Sequence, residues 1–159
     1  MIILNGHPSE DLVNELIEKA VKARKRSYAP YSKFMVGAAL MTADNEIFVG
    51  ANMEEAAYEA LHAERSALSA MNMAGYRNPK LIVCVGAPEQ VDNPIVGLAP
   101  CGHCRQDLKE FSSLSGTPVQ VVISNPDDGD RLYIATIEEL LPFAFGPSDI
   151  GVDLERHRR

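Results

Sequence analysis

The run Leu81-Ile82-Val83-Cys84-Val85 decides the fold class of this 159-residue chain. It is short, apolar and rich in β-branched residues, which is typical of a strand buried on both faces. Such a strand requires neighbouring strands in its sheet and helices on both sides. Cys84, which lies inside the run, is interpreted as a buried, unreactive thiol rather than as a metal ligand.

The segments on either side of this run supply the required neighbours. Apolar residues at helical spacing predict a first helix over residues 9–27, with Ser9 as its N-cap. Hydrophobic patterning predicts the other elements in chain order: strands over 34–41 and 47–51, helices over 61–74 and 101–114, strands over 119–123 and 132–136, and a short helix over 137–141. Residues 94–100 are expected to form a loop. This order predicts an α/β fold with one sheet covered on both faces, in a single domain over residues 1–159.

Composition excludes several classes of function. Acidic residues outnumber basic ones by 22 to 15, and a chain with a net charge of −7 is a poor partner for nucleic-acid phosphates. The basic runs at 22–26 and 156–159 are interpreted as solvent-exposed charges. No apolar stretch approaches the roughly 18 residues that span a bilayer, and the start of the chain does not resemble a signal peptide. Three cysteines are too few for a disulfide scaffold, so we expect a cytoplasmic protein with reduced thiols.

Two short motifs carry residues suited to catalysis, His62-Ala63-Glu64 and Pro100-Cys101-Gly102-His103-Cys104. Both lie at predicted helix N-termini, where the helix dipole is expected to lower the pKa of the thiols and favour thiolates. One imidazole and two thiolates with an open fourth position form the ligand set of catalytic zinc, because structural zinc sites are closed. An H-x-E motif followed by P-C-x-x-C is the signature of zinc deaminases.

Two other interpretations of these motifs remain open. Cys-Gly-His-Cys is also the active-site tetrapeptide of thiol–disulfide oxidoreductases, although those proteins carry it in a Trp-Cys context and this chain contains no Trp. His103 could replace His62 as the third metal ligand, but its position between the two cysteines is expected to point it away.

Five motifs, in order, resemble those of cytidine deaminases. They are Tyr28-Ala-Pro-Tyr31-Ser-Lys-Phe34-Met-Val-Gly37-Ala-Ala, Gly50-Ala-Asn52-Met-Glu54, His62-Ala-Glu64, Pro100-Cys-Gly-His-Cys-Arg-Gln106 and Leu140-Leu-Pro-Phe-Ala-Phe145-Gly-Pro147. The resemblance implies a three-layer α/β/α sandwich with a mixed five-stranded sheet. It also implies a homotetrameric, zinc-dependent hydrolase that deaminates free cytidine or deoxycytidine in pyrimidine salvage. The alternative within this fold is an aminohydrolase of another aminated nucleoside or heterocycle, such as blasticidin S.

The resemblance assigns roles to individual residues. It implies that Zn2+ is held by His62, Cys101 and Cys104, and that Glu64 carries protons between water, the pyrimidine ring and the leaving amine. The implied substrate contacts are Phe34 against the base, Asn52 and Glu54 at the ribose 3′-hydroxyl, the backbone of Ala63 at the pyrimidine, and Phe145 in the site of a neighbouring subunit.

Overall fold

The computed structural model describes residues 8–129 and 131–158 of the chain. The helices are α1 (Glu10–Arg24), α2 (Ala63–Met73), α3 (Gly102–Ser115) and α4 (Ile137–Leu140). The strands are β1 (Phe34–Thr42), β2 (Ile47–Ala51), β3 (Met53–Glu54), β4 (Ala60–Leu61), β5 (Pro79–Pro88), β6 (Ile95–Val96), β7 (Gln120–Asn125) and β8 (Arg131–Thr136). The prediction about a signal peptide falls on the first seven residues, which lie outside the described part.

Five strands form a mixed sheet in the order β2-β1-β5-β7-β8, and the apolar run at residues 81–85 is its central strand, as predicted. β1 is antiparallel to both β2 and β5, β5 is parallel to β7, and β7 is antiparallel to β8. The mixed five-stranded sheet implied by the resemblance is therefore confirmed.

Side chains that alternate along the strands give each face of the sheet its own core. On one face, α1 packs through Val13, Leu16 and Ala20 against residues such as Ala39 and Val83. On the other face, α2 and α3 cover the intervening residues. These include Ala38, Leu40, Ile82 and Cys84. The three-layer α/β/α arrangement follows from this alternation.

Most differences from the predicted elements lie at their ends. Ser9 caps α1 as expected, since its hydroxyl accepts a hydrogen bond from the Leu12 amide, but the helix ends at Arg24 rather than at residue 27. The prediction of a loop over residues 94–100 is wrong, because this segment contains β6. β7 pairs with β5 only as far as Val83, so β6 pairs with the remaining end of β5 instead.

The expectation that the charges of the basic run at residues 22–26 are all solvent-exposed is wrong at one position. Lys22, Lys25 and Arg26 are exposed as predicted, but Arg24 is buried and only 5% exposed. Its guanidinium donates to backbone carbonyls of β1, β5 and the turn after β5. These acceptors satisfy the buried guanidinium in place of water.

The second basic run, at residues 156–159, was also expected to be solvent-exposed. Residues 156–158 of the basic tail are exposed, whereas Arg159 lies outside the described residues. Within the described ranges, none of the helices has the length and apolar character needed to cross a membrane.

Candidate active site

The N-termini of α2 and α3 lie close together and bring the two sequence motifs to one place. His62 is the N-cap of α2 and Cys101 the N-cap of α3, and neither side chain caps its own helix. His62 Nδ1 lies 3.2 Å from Cys101 Sγ and 3.3 Å from Cys104 Sγ. The three donor atoms all lie within 4.8 Å of one another, so the predicted ligand set is assembled.

The donor set of this cluster fits zinc. A tetrahedral zinc ion with ordinary bond lengths separates its nitrogen and sulfur ligands by about 3.6 Å, close to the distances found here. Both cysteines are free thiols rather than a disulfide. Three donors in the described residues leave a fourth coordination position, as in catalytic zinc sites. His103 is exposed and does not belong to the cluster, which agrees with the choice of His62.

The expectation that the helix dipole lowers the thiol pKa values is wrong for Cys104. Its side chain is fully buried, and burial raises its pKa far above the usual value for a thiol. The Glu64 carboxylate and Cys101 raise it further. Desolvation and a nearby negative charge therefore outweigh the dipole among the protein groups alone. A bound cation reverses this balance, because its charge stabilises the thiolate.

A cavity of about 290 Å³ opens onto the cluster. Seven of the nine predicted site residues line it; they are Phe34, Asn52, Glu54, His62, Ala63, Glu64 and Cys101. Cys104 is buried beside the other ligands. The cavity thus combines an aromatic wall, polar groups and the metal-binding cluster, as small-molecule sites do.

Glu64 lies in the first turn of α2 and is 7% exposed. Its carboxylate interacts with the thiols of Cys104 and Cys84 and contributes to raising the pKa of both, after burial. Cys84 is buried as expected, but it also lines the cavity, which its position in a strand did not indicate. The carboxylate therefore lies at the cavity wall, beside the ligand cluster.

Glu54 is held as a carboxylate at the outer part of the cavity. Its Oε2 accepts hydrogen bonds from the amides of Tyr31, at 2.9 Å, and Ser32, at 3.1 Å. Hydrogen bonding, first of all from the Ser32 side chain, lowers its pKa below the usual value. A carboxylate has more acceptor positions than these bonds use, so Glu54 can also accept a hydrogen bond from a ligand hydroxyl.

Asn52 has much of its hydrogen-bonding capacity occupied by the protein. Its Oδ1 accepts from the Val36 amide at 2.8 Å and from the Ser27 hydroxyl, and its Nδ2 donates to the Phe34 carbonyl at 3.0 Å. One N–H of the amide group remains. Towards a ligand, Asn52 can therefore act as a donor and Glu54 as an acceptor, and one hydroxyl can bond to both.

Phe145 does not line the cavity of its own chain. Its side chain is 61% exposed, and its carbonyl accepts a hydrogen bond from Gln106 Nε2 at 2.8 Å. Its contact with a neighbouring subunit stays a prediction.

Sequence reasoning missed several residues of the cavity wall, among them the branched apolar residues Val36 and Leu98. The alternation along β1 could have identified Val36, because it shares a strand face with Phe34. Leu98 had no such signal. It is placed by the segment after β6, where the amides of Gly97 and Leu98 both donate to the Cys84 carbonyl.

Known proteins resemble this chain over most of its length. The family model for the cytidine and deoxycytidylate deaminase zinc-binding region matches residues 11–117. A cytidine deaminase of Sporosarcina psychrophila is 38% identical over 145 residues, which cover 91% of this chain and 98% of the relative. One from Halalkalibacterium halodurans is 38% identical over 137 residues, which cover 86% and 96%. The crystal structure of cytidine deaminase from Burkholderia pseudomallei is 41% identical and superposes with a TM-score of 0.68, covering 83% of this chain and 98% of that one.

Proposed function

This chain belongs to the zinc-binding cytidine deaminase family, and on that premise we propose that it hydrolyses free cytidine and deoxycytidine to uridine and deoxyuridine plus ammonia. One observation carries the proposal. The donor atoms of His62, Cys101 and Cys104 converge at the wall of a cavity that Glu64 also lines. This reaction belongs to pyrimidine salvage.

His62, Cys101 and Cys104 are the residues that hold zinc. Zinc held by these residues would act as a Lewis acid, which lowers the pKa of water towards neutrality. Proton transfer and substrate binding fall to other side chains.

Glu64 moves the protons. It accepts a proton from the attacking water and delivers it to ring N3, which makes C4 of the cytosine electrophilic. The water oxygen bonds to C4, and Glu64 then takes the second proton from that oxygen, which becomes the carbonyl, and transfers it to the exocyclic amine. The C4–N bond breaks with its electron pair on nitrogen, so one water is consumed and one ammonia leaves. The carboxylate is placed for both transfers because it lines the cavity together with the metal ligands His62 and Cys101.

The remaining cavity residues bind the nucleoside. Phe34 packs against the base, and the backbone of Ala63 contacts the pyrimidine. At the sugar, Glu54 accepts a hydrogen bond from the 3′-hydroxyl, and the remaining N–H of Asn52 donates to the same oxygen. Both cytidine and deoxycytidine carry this hydroxyl, so both substrates can form these hydrogen bonds. A ligand without the hydroxyl leaves the Glu54 carboxylate without this partner and binds less well.

We also propose that the protein is a cytoplasmic homotetramer in which Phe145 completes a neighbouring site. The large exposed fraction of this aromatic side chain supports a contact between subunits. The net charge of −7 argues against a polynucleotide substrate.

The direct test is the ultraviolet absorbance of cytidine mixed with zinc-loaded protein. We expect the cytosine band to disappear and uridine to form. No change in absorbance, with the protein folded and about one zinc bound per chain, would reject cytidine and point to another aminated nucleoside or heterocycle. His62→Ala should lose both zinc and activity, whereas the matched variant His103→Ala should keep both.

A further inference from the structure

Arg24 is the last residue of α1, and its side chain is buried beneath the central strands. It is 5% exposed, whereas the neighbouring cations Lys22, Lys25 and Arg26 are exposed. A charged side chain in this position has a high desolvation cost unless hydrogen bonds satisfy it. The partners of Arg24 therefore indicate what its burial achieves.

These partners are backbone carbonyls. Arg24 Nε donates to the Met35 carbonyl at 3.2 Å. Its Nη2 lies within hydrogen-bonding distance of three more carbonyls, those of Ala87 at 3.2 Å, Pro88 at 2.8 Å and Val91 at 2.8 Å. Among the described residues, no carboxylate forms an ion pair with this guanidinium. The Arg24 guanidinium therefore holds these segments of the main chain in place through hydrogen bonds.

The four carbonyls belong to one end of the β1–β5 ladder and the turn that follows. Met35 pairs with Ala87, and Phe34 pairs with Pro88 at the last position of the register. Val91 lies in the turn after β5. One guanidinium thereby fixes β1 and β5 relative to each other where their pairing ends.

The opposite face of this strand end forms the wall of the cavity. Phe34 and Val36 flank Met35 along β1 and line the cavity. Gly86, on β5, leaves room for the Phe34 ring: a Cβ on Gly86 would lie 2.9 Å from Phe34 Cε1 and 2.4 Å from Leu98 Cδ1. The position of the Phe34 ring thus depends on how the ends of β1 and β5 are held together.

We propose that Arg24 is a positioning residue that sets the Phe34 wall of the nucleoside cavity from the opposite face of the sheet. It does not touch the substrate. The proposal rests on the proposed function, in which Phe34 packs against the base. Loss of the guanidinium loosens the strand ends, so base binding weakens while the metal cluster and Glu64 keep their places.

The kinetic test compares Arg24→Met and Arg24→Lys with Leu16→Ala, which opens the core of the same helix but leaves the carbonyl contacts intact. We expect Arg24→Met to raise KM for cytidine about tenfold with kcat within about twofold. Arg24→Lys should recover part of the loss, since an ammonium can still donate to some of the carbonyls. Leu16→Ala should lower the Tm and leave KM unchanged. An unchanged KM in Arg24→Met, or an equal rise in Leu16→Ala, would overturn the proposal.

A second measurement does not need turnover. Amide hydrogen exchange followed by mass spectrometry should show faster exchange in Arg24→Met over residues 33–37 and 85–91, relative to the rest of the chain. Leu16→Ala should show no such local difference. If wild-type protein fails to deaminate cytidine, the proposed function fails, and this exchange pattern alone then decides the role of Arg24. Equal exchange of these segments in wild type and Arg24→Met would refute it.

Discussion

At the scale of single residues, Glu64 differs from its neighbours in the cavity because it lies beside the metal ligands without belonging to them. Substitution by glutamine keeps its shape but removes its ability to accept and deliver a proton. We expect Glu64→Gln to bind zinc at the wild-type level and to lose a factor of about 10²–10⁴ in kcat. The measurement is initial rate together with zinc content by mass spectrometry.

A matched control for this prediction is Glu55→Gln, which removes an exposed carboxylate close to the cavity but not part of its wall. It should keep the wild-type rate. Turnover near the wild-type rate in zinc-loaded Glu64→Gln would contradict the mechanism.

Some residues of the site could be predicted from the sequence, and others could not. The metal cluster was predictable, because its ligands lie in short motifs whose spacing and helix placement are local properties. The burial of Arg24 was not, because its acceptors come from β1 and β5, and the Ala87 carbonyl lies 63 residues further along the chain. That Asn52 has only an N–H left for a ligand could not be predicted either. Its oxygen is occupied in part by the amide of Val36, which lies on a neighbouring strand.

At the scale of elements, the close packing of α2 on β2 determines where the catalytic motif lies. Gly50 makes this packing possible: a Cβ there would lie 2.3 Å from the Ala63 carbonyl oxygen and 2.4 Å from the Ala67 amide nitrogen. We expect Gly50→Ala to push the start of α2 away from the sheet. The variant should lose about 1–3 kcal/mol of unfolding free energy and should also bind zinc less tightly, because His62 moves with the helix.

Thermal unfolding and competition with a zinc chelator would measure both effects. Gly146→Ala provides the control, since a Cβ at that position meets no atom within 4 Å. It should leave both values unchanged. Wild-type zinc retention in folded Gly50→Ala would show that the helix start tolerates the displacement.

The junction of α3 and α4 gives a prediction about pH. Glu138 Oε1 accepts hydrogen bonds from Ser112 Oγ at 2.7 Å and from Lys109 Nζ at 3.1 Å. Burial acts to raise its pKa, but these two bonds, a backbone hydrogen bond and the charge of Lys109 together outweigh it and hold the pKa below the ordinary value of 4.5. The ionised carboxylate therefore contributes stability above pH 4.5, and this contribution is lost as the pH falls through the lowered pKa.

We expect Glu138→Gln to lower the unfolding free energy at pH 7 by roughly 1 kcal/mol, a value reduced by partial solvent exposure. The difference from wild type should shrink as the pH falls through the lowered pKa, because the protonated Glu138 side chain is neutral like glutamine. Urea unfolding at several pH values would measure it. Glu110→Gln, which removes an exposed carboxylate of the adjoining helix α3, should show little difference at any pH. A constant difference for Glu138→Gln across this range would contradict the assignment.

Secondary-structure elements were predictable to different degrees. The long helices and the central strands follow from periodic apolar patterns over many residues. β6 has only two residues, and it forms because β7 leaves part of β5 unpaired. Such a strand is a consequence of sheet topology, which no local pattern in residues 94–100 encodes.

At the scale of the whole molecule, the alternation along β1 and β5 creates two cores, and the cavity lies on the side of α2 and α3. The two faces of the sheet therefore have different roles. The α1 side holds the sheet together, and the other side carries the ligands and Glu64. The exposed aromatic side chain of Phe145 belongs to neither core, so its role is expected in the assembly.

If Phe145 completes the site of a neighbouring subunit, active sites are shared between chains, and two defective variants can complement each other. Phe145→Ala should raise KM for cytidine, whereas Glu64→Gln should be nearly inactive. In mixed oligomers, some sites combine Glu64 of the Phe145→Ala chain with Phe145 of the Glu64→Gln chain. These sites should turn over with the low KM of wild type, because both required groups are present.

Co-expression of the two variants with different affinity tags, followed by tandem purification, would isolate the mixed oligomers. The expected rate curve contains a low-KM component that neither variant shows alone. Phe143→Ala in place of Phe145→Ala tests whether any exposed aromatic of this segment has the effect, since Phe143 is also exposed. It should not change KM. A mixed oligomer whose kinetics equal the sum of its two parents would place each active site within a single chain and reject the shared-site assembly.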